Sequence, residues 1–331
     1  MEIKEIIGID VSKLTLDCCH HSSGSHKEFD NNLDTIASMV KWSLQVSGVS
    51  KKKLLFVFEH TGLYSDQLVQ FLGGGDYLFN VVPGLEIKRS LGIARGKDDK
   101  ADAKRIALYG YRVKDELKPF QIPSKTLEVL KRLMSVRKKL VTQRAGYIAT
   151  LKEQARILSK QHNKVLFKVQ GKMILTLDKQ ITIVEQEMNQ LIEEDPELLN
   201  LYQLITSVKG IGGVTARFLI VYTVGFTTFE SWRKFASYCG IAPFPFRSGT
   251  SIRGRTKVSH LANKEGKSLL SMCAVSAIQS NPEMKAYYNR RIDQGKNKIS
   301  TINIIRNKLL ARAFAVVQRR TPYVNTMKFA C

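Results

Sequence analysis

Apolar residues follow two rhythms along the chain, and the change from one to the other divides it. Ile6, Ile7, Gly8 and Ile9 lead up to Asp10, a run that predicts a buried strand delivering a carboxylate near its C-terminal end. Residues 14–20 predict a second strand, 22–25 a turn and 27–31 a third strand, together an antiparallel meander. Leu33, Ile36, Met39, Val40 and Leu44 recur at helical spacing. Residues 54–58 are continuously apolar, the mark of a central strand buried on both faces, and Glu59 follows directly. Residues 63–72 predict a helix and 77–82 a strand. Gly73, Gly74 and Gly75 follow a helix and precede a strand, the reverse of phosphate-loop order, so they read as a helix terminator. Residues 84–95 read as a basic connection.

Two strands thus end on carboxylates, Asp10 and Glu59. A carboxylate in so apolar a run is costly unless it is paired or holds a cation; capping of a strand-end turn accounts for it equally. Asp99 and Asp102 lie three apart at a predicted helix start, where they share a face and suit the macrodipole. Ordinary N-terminal capping explains that pair taken alone. The element order, three strands and then helix, strand, helix, strand, helix, is that of the ribonuclease H-like fold, which lets all four acids converge beside one sheet. Four clustered carboxylates repel unless cations lie among them. Mg²⁺ prefers such hard oxygen ligands, and two ions roughly 3.5–4 Å apart suit phosphodiester chemistry.

After Pro123 the rhythm becomes helical throughout. Residues 125–194 contain no proline and only two glycines, with Leu127, Leu130, Leu133, Val136 and Leu140, then Met173, Leu177, Ile181, Val184, Met188 and Leu191 at helical spacing. Two long helices folding back near Gln161, His162 and Asn163 are expected, as a coiled-coil arm. Asp195 and Pro196 end it. An apolar helix, the Lys209-Gly210-Ile211-Gly212 turn and a second helix resemble a helix-hairpin-helix motif, whose glycines admit a phosphate to backbone N–H groups; a plain glycine-containing turn fits as well. Residues 229–240 predict a helix with Trp232, Phe235 and Tyr238 in the core. Residues 243–255 read as a polar, basic loop in which Arg247, Arg253 and Arg255 can meet phosphates. Residues 269–280 and 299–317 predict closing helices.

Composition adds a partner. Lys and Arg number 52 against 29 acids in 331 residues, a formal net charge of +23, which favours a polyanion, most commonly nucleic acid. No run is long enough to cross a bilayer, and no signal peptide is read. Five cysteines without paired spacing suggest reduced thiols in a cytoplasm. Cys18, Cys19, His20 and His21 are consecutive on a strand, point to alternate faces and cannot close a tetrahedron around a metal.

The ordered set GIDVSK, FEHTG, KDDKADA, SVKGIGGVTA, CGIAP and RSGTSIRG is similar to the DEDD-type insertion-sequence transposases of the "IS-one-ten" family, over essentially the whole chain. The resemblance implies an α/β plus all-α chain. Its parts are a RuvC-like ribonuclease H-type domain (1–120), a coiled-coil arm (121–198) and a helical C-terminal transposase domain (199–331). It implies that Asp10, Glu59, Asp99 and Asp102 hold Mg²⁺ (or Mn²⁺), with Asp98 an extra acid beside them. It also implies that Ser248, with Ser251 as the alternative, attacks a DNA phosphate to give a phosphoserine link and a free 3′-hydroxyl. Nucleic-acid contacts fall to Lys209, Gly210, Gly212, Arg247, Arg253 and Arg255. Donor and target double-stranded DNA, a bridge-type guide RNA and a homo-oligomer (dimer or tetramer) are the implied partners. No membrane is implied, and the implied location is the bacterial or archaeal cytoplasm, at the nucleoid. A junction nuclease using water and a non-catalytic nucleic-acid scaffold remain as alternatives. An actin-like sugar kinase is disfavoured by the charge and by the lack of a second glycine-rich phosphate loop.

Overall fold

The computed structural model describes residues 2–90, 92, 98–117, 120–249 and 252–324, with the backbone alone at Ser248, Ile252, Arg253 and Arg255. The chain forms two compact units, residues 1–122 and 123–331.

In the first unit β1 (Glu5–Val11), β2 (Thr15–His20) and β3 (His26–Asp30) form the expected antiparallel meander. β4 (Leu54–Glu59) and β5 (Leu78–Val82) add to the other side of β1 in parallel, giving the order β3-β2-β1-β4-β5. Helices α1 (Leu33–Ser47) and α2 (Leu63–Gly74) cover one face, where Ile7, Ile9, Phe56 and Phe58 pack with Ile36, Met39, Leu68 and Leu72. The other face takes Ile6, Leu55 and Val57 against Ile106 and Tyr109 of α4 (Asp99–Val113). Side chains alternate along a strand. Asp10 therefore shares the α4 face with Ile6 and Gly8, and Glu59 shares it with Leu55 and Val57.

Local chemistry explains the ends of these elements. Asn32 caps α1 by accepting from Thr35 N, and Gly75 follows α2 as its C-terminal cap, so the triple glycine terminates a helix as expected. The stretch read as a basic connection instead contains a short helix, α3 (Gly84–Ser90), tied to α4 by Tyr109 Oη donating to Glu86 Oε1 at 2.8 Å. Cys18 and Cys19 are both buried and His20 bonds Glu5, so the Cys-Cys-His-His run serves the strand.

In the second unit α5 (Lys125–Ile157) and α6 (Lys164–Glu193) turn back on one another at residues 158–163. Arg137 with Glu185 (2.6 Å), Arg144 with Asp178, and Gln170 with Gln154 (2.7 Å) hold the pair in antiparallel register. The base of the pair, with Leu127, Leu130, Met134, Met188 and Ile192, joins a core shared with α7 (Pro196–Thr206), α8 (Gly213–Tyr222), α9 (Trp232–Tyr238), α10 (Lys264–Ser280) and α12 (Lys298–Arg319). Phe235 is fully buried there and Trp232 partly. Tyr238 is exposed, with its ring tilted against those of Phe229 and Phe235. A further helix, α11 (Pro282–Asp293), begins at Pro282 with Asn281 as its cap; the sequence reading did not foresee it.

The basic loop is a correction. Residues 243–258 form an antiparallel hairpin, β6 (Pro243–Ser248) and β7 (Ile252–Val258). Gly249 turns the chain in the left-handed region (φ +57°), where a side chain would strain it. Among the described residues no helix is long and apolar enough to cross a membrane.

Candidate functional site

Asp10 is delivered by β1, and the parallel ladder pairs Ile9 with Phe58, so the next residues, Asp10 and Glu59, stand side by side on neighbouring strands. α4 crosses the same face, and its first turn carries Asp99 and Asp102. The approach is very close. A methyl on Gly8 would stand 2.2 Å from Ala107 N and 2.5 Å from Ala103 O, both helix backbone atoms. Only a residue without Cβ lets α4 lie this near β1. On β4, the Glu59 carboxylate rests on the Cα of Gly84, where a methyl would stand 1.8 Å from Oε1.

The electrostatics record the convergence. The Asp10 carboxyl is raised from its ordinary 3.8 to about 6, first by burial and then by the negative charges of Asp102, Asp99, Glu59 and Asp17. All three other sequence-selected acids thus act on Asp10 from two separate elements. Asp98 sits at the N-cap of α4, exposed, without a side-chain capping bond.

Field and ligation differ in range. Among the described residues no three His, Cys, Asp or Glu side chains are close enough together to grip one ion. Arg105 Nη1 donates to Asp102 Oδ1 at 2.7 Å and occupies one of the oxygens concerned. The shift on Asp10 therefore speaks for a shared negative field, which Arg105 offsets in part, and a donor set of four hard carboxylates suits a hard divalent cation.

Sequence reasoning missed three residues here. Asp17 is the Cα partner of Asp10 on β2, buried, with His26 Nε2 2.9 Å from its Oδ1. Thr61 Oγ1, in the turn after Glu59, is buried with no hydrogen-bond partner. Gly8 sets the helix-to-strand spacing. A glycine inside an apolar strand is the one signal that could have pointed to close backbone approach.

The remaining sequence-selected residues belong to the second unit. Ser248 ends β6 opposite Ile252, and Arg247 is paired with Arg253. Arg255 lies on β7, and Ser251 lies outside the described residues. Lys209 is exposed between α7 and α8. Gly210 (φ +103°) packs so tightly on α10 that a methyl would stand 2.6 Å from Ala277 Cβ, whereas Gly212 is exposed with open space at its Cα. Packing alone accounts for the first glycine, and the backbone of the second hydrogen-bonds the Cys273 thiol.

Comparison with known proteins gives the family. Residues 7–159 match a family model described as a transposase of the DEDD, IS110 type, and residues 202–289 match one described as the transposase IS116/IS110/IS902 family. The chain is 30% identical to the pilin gene-inverting proteins of Moraxella bovis and Moraxella lacunata, over 97% of this chain and 98% of each relative. It is also 28% identical to an uncharacterized 43.6 kDa protein of insertion element IS110 from Streptomyces coelicolor, over 46% of this chain and 37% of that protein.

Proposed function

Because the chain belongs to the IS116/IS110/IS902 family of DEDD transposases, we propose that it cuts and rejoins DNA strands through a covalent link to Ser248, with the four acids as its metal-binding half. The observation that carries this reading is geometric: Asp10 and Glu59 end neighbouring strands on the face that α4 crosses with Asp99 and Asp102 in its first turn, where the Asp10 carboxyl is raised first by burial and then by these acids. Asp10, Glu59, Asp99 and Asp102 would hold Mg²⁺ or Mn²⁺. Bound there, the ion supplies Lewis-acid polarisation of a phosphate and lowers the cost of losing the serine proton.

The Ser248 hydroxyl attacks the phosphorus of a DNA phosphodiester. The P–O3′ bond breaks, the leaving oxygen takes up a proton as a free 3′-hydroxyl, and the phosphate stays on Ser248. A second 3′-hydroxyl then attacks the phosphoserine and restores the serine, so bond energy is kept through the exchange. The Moraxella relatives are named for inverting a pilin gene. Inversion needs rejoining as well as cutting, which supports the covalent route over hydrolysis by water. Arg247, Arg253, Arg255 and Lys209 would neutralise backbone phosphates, with the Gly210-Ile211-Gly212 turn acting as a helix-hairpin-helix-like phosphate contact.

The net charge of +23 fits donor and target DNA together with a bridge-type guide RNA. The long pair α5–α6 we read as a coiled-coil arm between a RuvC-like domain (1–120) and the transposase domain (199–331). Joining two DNA sites calls for more than one protomer, hence a dimer or tetramer acting at the nucleoid of a cytoplasm.

The test is a covalent-adduct assay on DNA carrying the element's ends. Wild-type protein should yield a protein–DNA adduct that needs divalent cation. Ser248→Ala should abolish the adduct, and Asp10→Asn should reduce it at least about 10²-fold, while both variants still bind DNA. Adducts persisting in Ser248→Ala would move the nucleophile to Ser251. Protein-free 5′-phosphate ends, indifferent to Ser248, would replace the transposition reading with a hydrolytic nuclease. DNA binding indifferent to chelator, with no cleavage of any substrate, would reduce the protein to a scaffold.

A further inference from the structure

Phosphate contacts by arginines leave the aromatic residues of the hairpin unexplained. Phe244 and Phe246 remain 48% and 65% exposed, on a ribbon that carries at least one cation at each end. The Phe246 ring lies over Gly254, where a methyl would stand 2.7 Å from Phe246 Cδ1. The register slips by one residue between Phe244 and Phe246, which brings Lys257 opposite Phe244. Phe244, Pro245, Phe246, Gly254 and Lys257 together line a cleft of about 400 Å³, within the usual size range of ligand sites.

Two open ring faces beside an ammonium match an unpaired base and its phosphate. A paired base in duplex DNA keeps its faces stacked and cannot offer them. Charge points the same way. Arg247 is exposed on β6, and its backbone partner on β7 is residue Arg253, so the sequence puts cationic residue types at the ribbon's tip. We propose that this cleft holds an unpaired DNA nucleotide beside the strand being cut, with its base on Phe246 and Phe244 and its phosphate at Lys257. The choice of DNA over RNA rests on the proposed role of Ser248, which follows Phe246 by two positions on the same strand, roughly 7 Å away. A strand flayed open at the cleavage point is what a serine at the ribbon's tip would meet.

The test is binding alone, with the full chain at fixed salt and without divalent cation, so no chemistry is involved. Fluorescence anisotropy compares a DNA duplex containing an unpaired stretch with the same duplex fully paired and with an RNA of the same form. A 2-aminopurine in the unpaired stretch reports stacking. Wild type should favour the unpaired DNA, with quenched 2-aminopurine. Phe246→Leu keeps an apolar side chain and should lose about tenfold or more of that preference and its quenching, whereas Phe246→Trp should keep both. Binding to fully paired DNA should change little in either variant. Equal behaviour of Phe246→Leu and wild type would overturn the proposal. So would a preference for unpaired RNA over unpaired DNA, or a loss of self-association in Phe246→Leu, which would make the cleft an RNA site or a protomer contact. A retained preference in wild type, combined with adducts that survive Ser248→Ala, would leave the cleft standing and remove only the assigned nucleophile.

Discussion

Gly8→Ala tests the geometry on which the acid site depends. The new methyl would stand 2.2 Å from Ala107 N, 2.5 Å from Ala103 O and 2.7 Å from Ala107 Cα. Ordinary van der Waals contact begins near 3.4 Å, so the shortfall is about 1.2 Å. All three atoms are helix backbone, and no rotamer change relieves them. Either α4 moves off β1 or β1 buckles, and Asp102, adjacent to Ala103, moves with the helix. Overpacking of this kind costs about 1–3 kcal/mol, which for a unit of this size lowers Tm by roughly 5–15 °C. A displacement of about 1 Å at a reacting centre costs on the order of 10²-fold in rate. Activity should therefore fall well below wild type even at temperatures where the variant is fully folded.

Two comparisons separate positioning from stability. Gly110→Ala, on the same helix, would meet Val57 Cγ2 at 2.8 Å and Ile6 Cγ2 at 2.9 Å, which are side-chain methyls and not backbone. It should destabilise less, and trimming Val57 to Ala should restore it, whereas trimming Ala107 to Gly should not rescue Gly8→Ala. The second readout is the Asp10 titration, followed by carboxyl NMR. Moving Asp99 and Asp102 away and admitting water should lower it from about 6 toward the ordinary carboxylate value. Wild-type melting and strand transfer in Gly8→Ala, or an unshifted Asp10 titration in an inactive variant, would refute the assignment of Gly8 as the spacer.

Further outcomes follow from the same face of the sheet. Gly84→Ala places a methyl 1.8 Å from Glu59 Oε1 and 2.1 Å from its Cδ, but the obstacle is a side chain that can rotate. It should cost under about 1 kcal/mol in a urea melt while lowering adduct formation about 10- to 10²-fold; equal adduct yield would show that Glu59 is free to sit elsewhere. Because Asp10 titrates near 6 when folded and at 3.8 when not, the folded protein binds more protons between those values. Its contribution to stability is thus lost as pH rises from about 4 to 6. Thermal melts should accordingly show a larger gain from Mg²⁺ at neutral pH than near pH 5, and Asp10→Asn should abolish the difference.

β1 and β4 were legible because their apolar runs are unmistakable. Asp10 and Glu59 were legible because each ends such a run, and Asp99 and Asp102 because they lie three apart at a helix start. What escaped notice depends on partners distant in sequence. Asp17 sits inside β2 and is satisfied by His26 of the next strand, so nothing local distinguishes it from a solvent-facing acid. The hairpin read as a loop because Pro243 and Pro245 break a strand pattern, as does Gly254. A two-stranded ribbon has only edge strands, where proline costs no ladder bond if its missing N–H would face outward. α3 is a single short helix held by the Glu86–Tyr109 hydrogen bond and one buried side chain, Ile87, too little to show a periodicity.

The positions that carry most of the functional geometry are thus the least conspicuous ones in the chain. A carboxylate declares its chemistry by its type, but whether four of them act together depends on how closely a helix can lie against a strand, and Gly8, Ala103 and Ala107 decide that by having little or no side chain. The raised carboxyl of Asp10 reports that spacing directly, since both its causes, burial and neighbouring negative charge, weaken as the helix recedes. Substituting any one acid would remove one of the proposed ligands and leave the spacing; enlarging Gly8 would leave all four acids and change the spacing. If the second change silences strand transfer as fully as the first, the field shared by the acids, more than any single one of them, is what the fold has been built to hold.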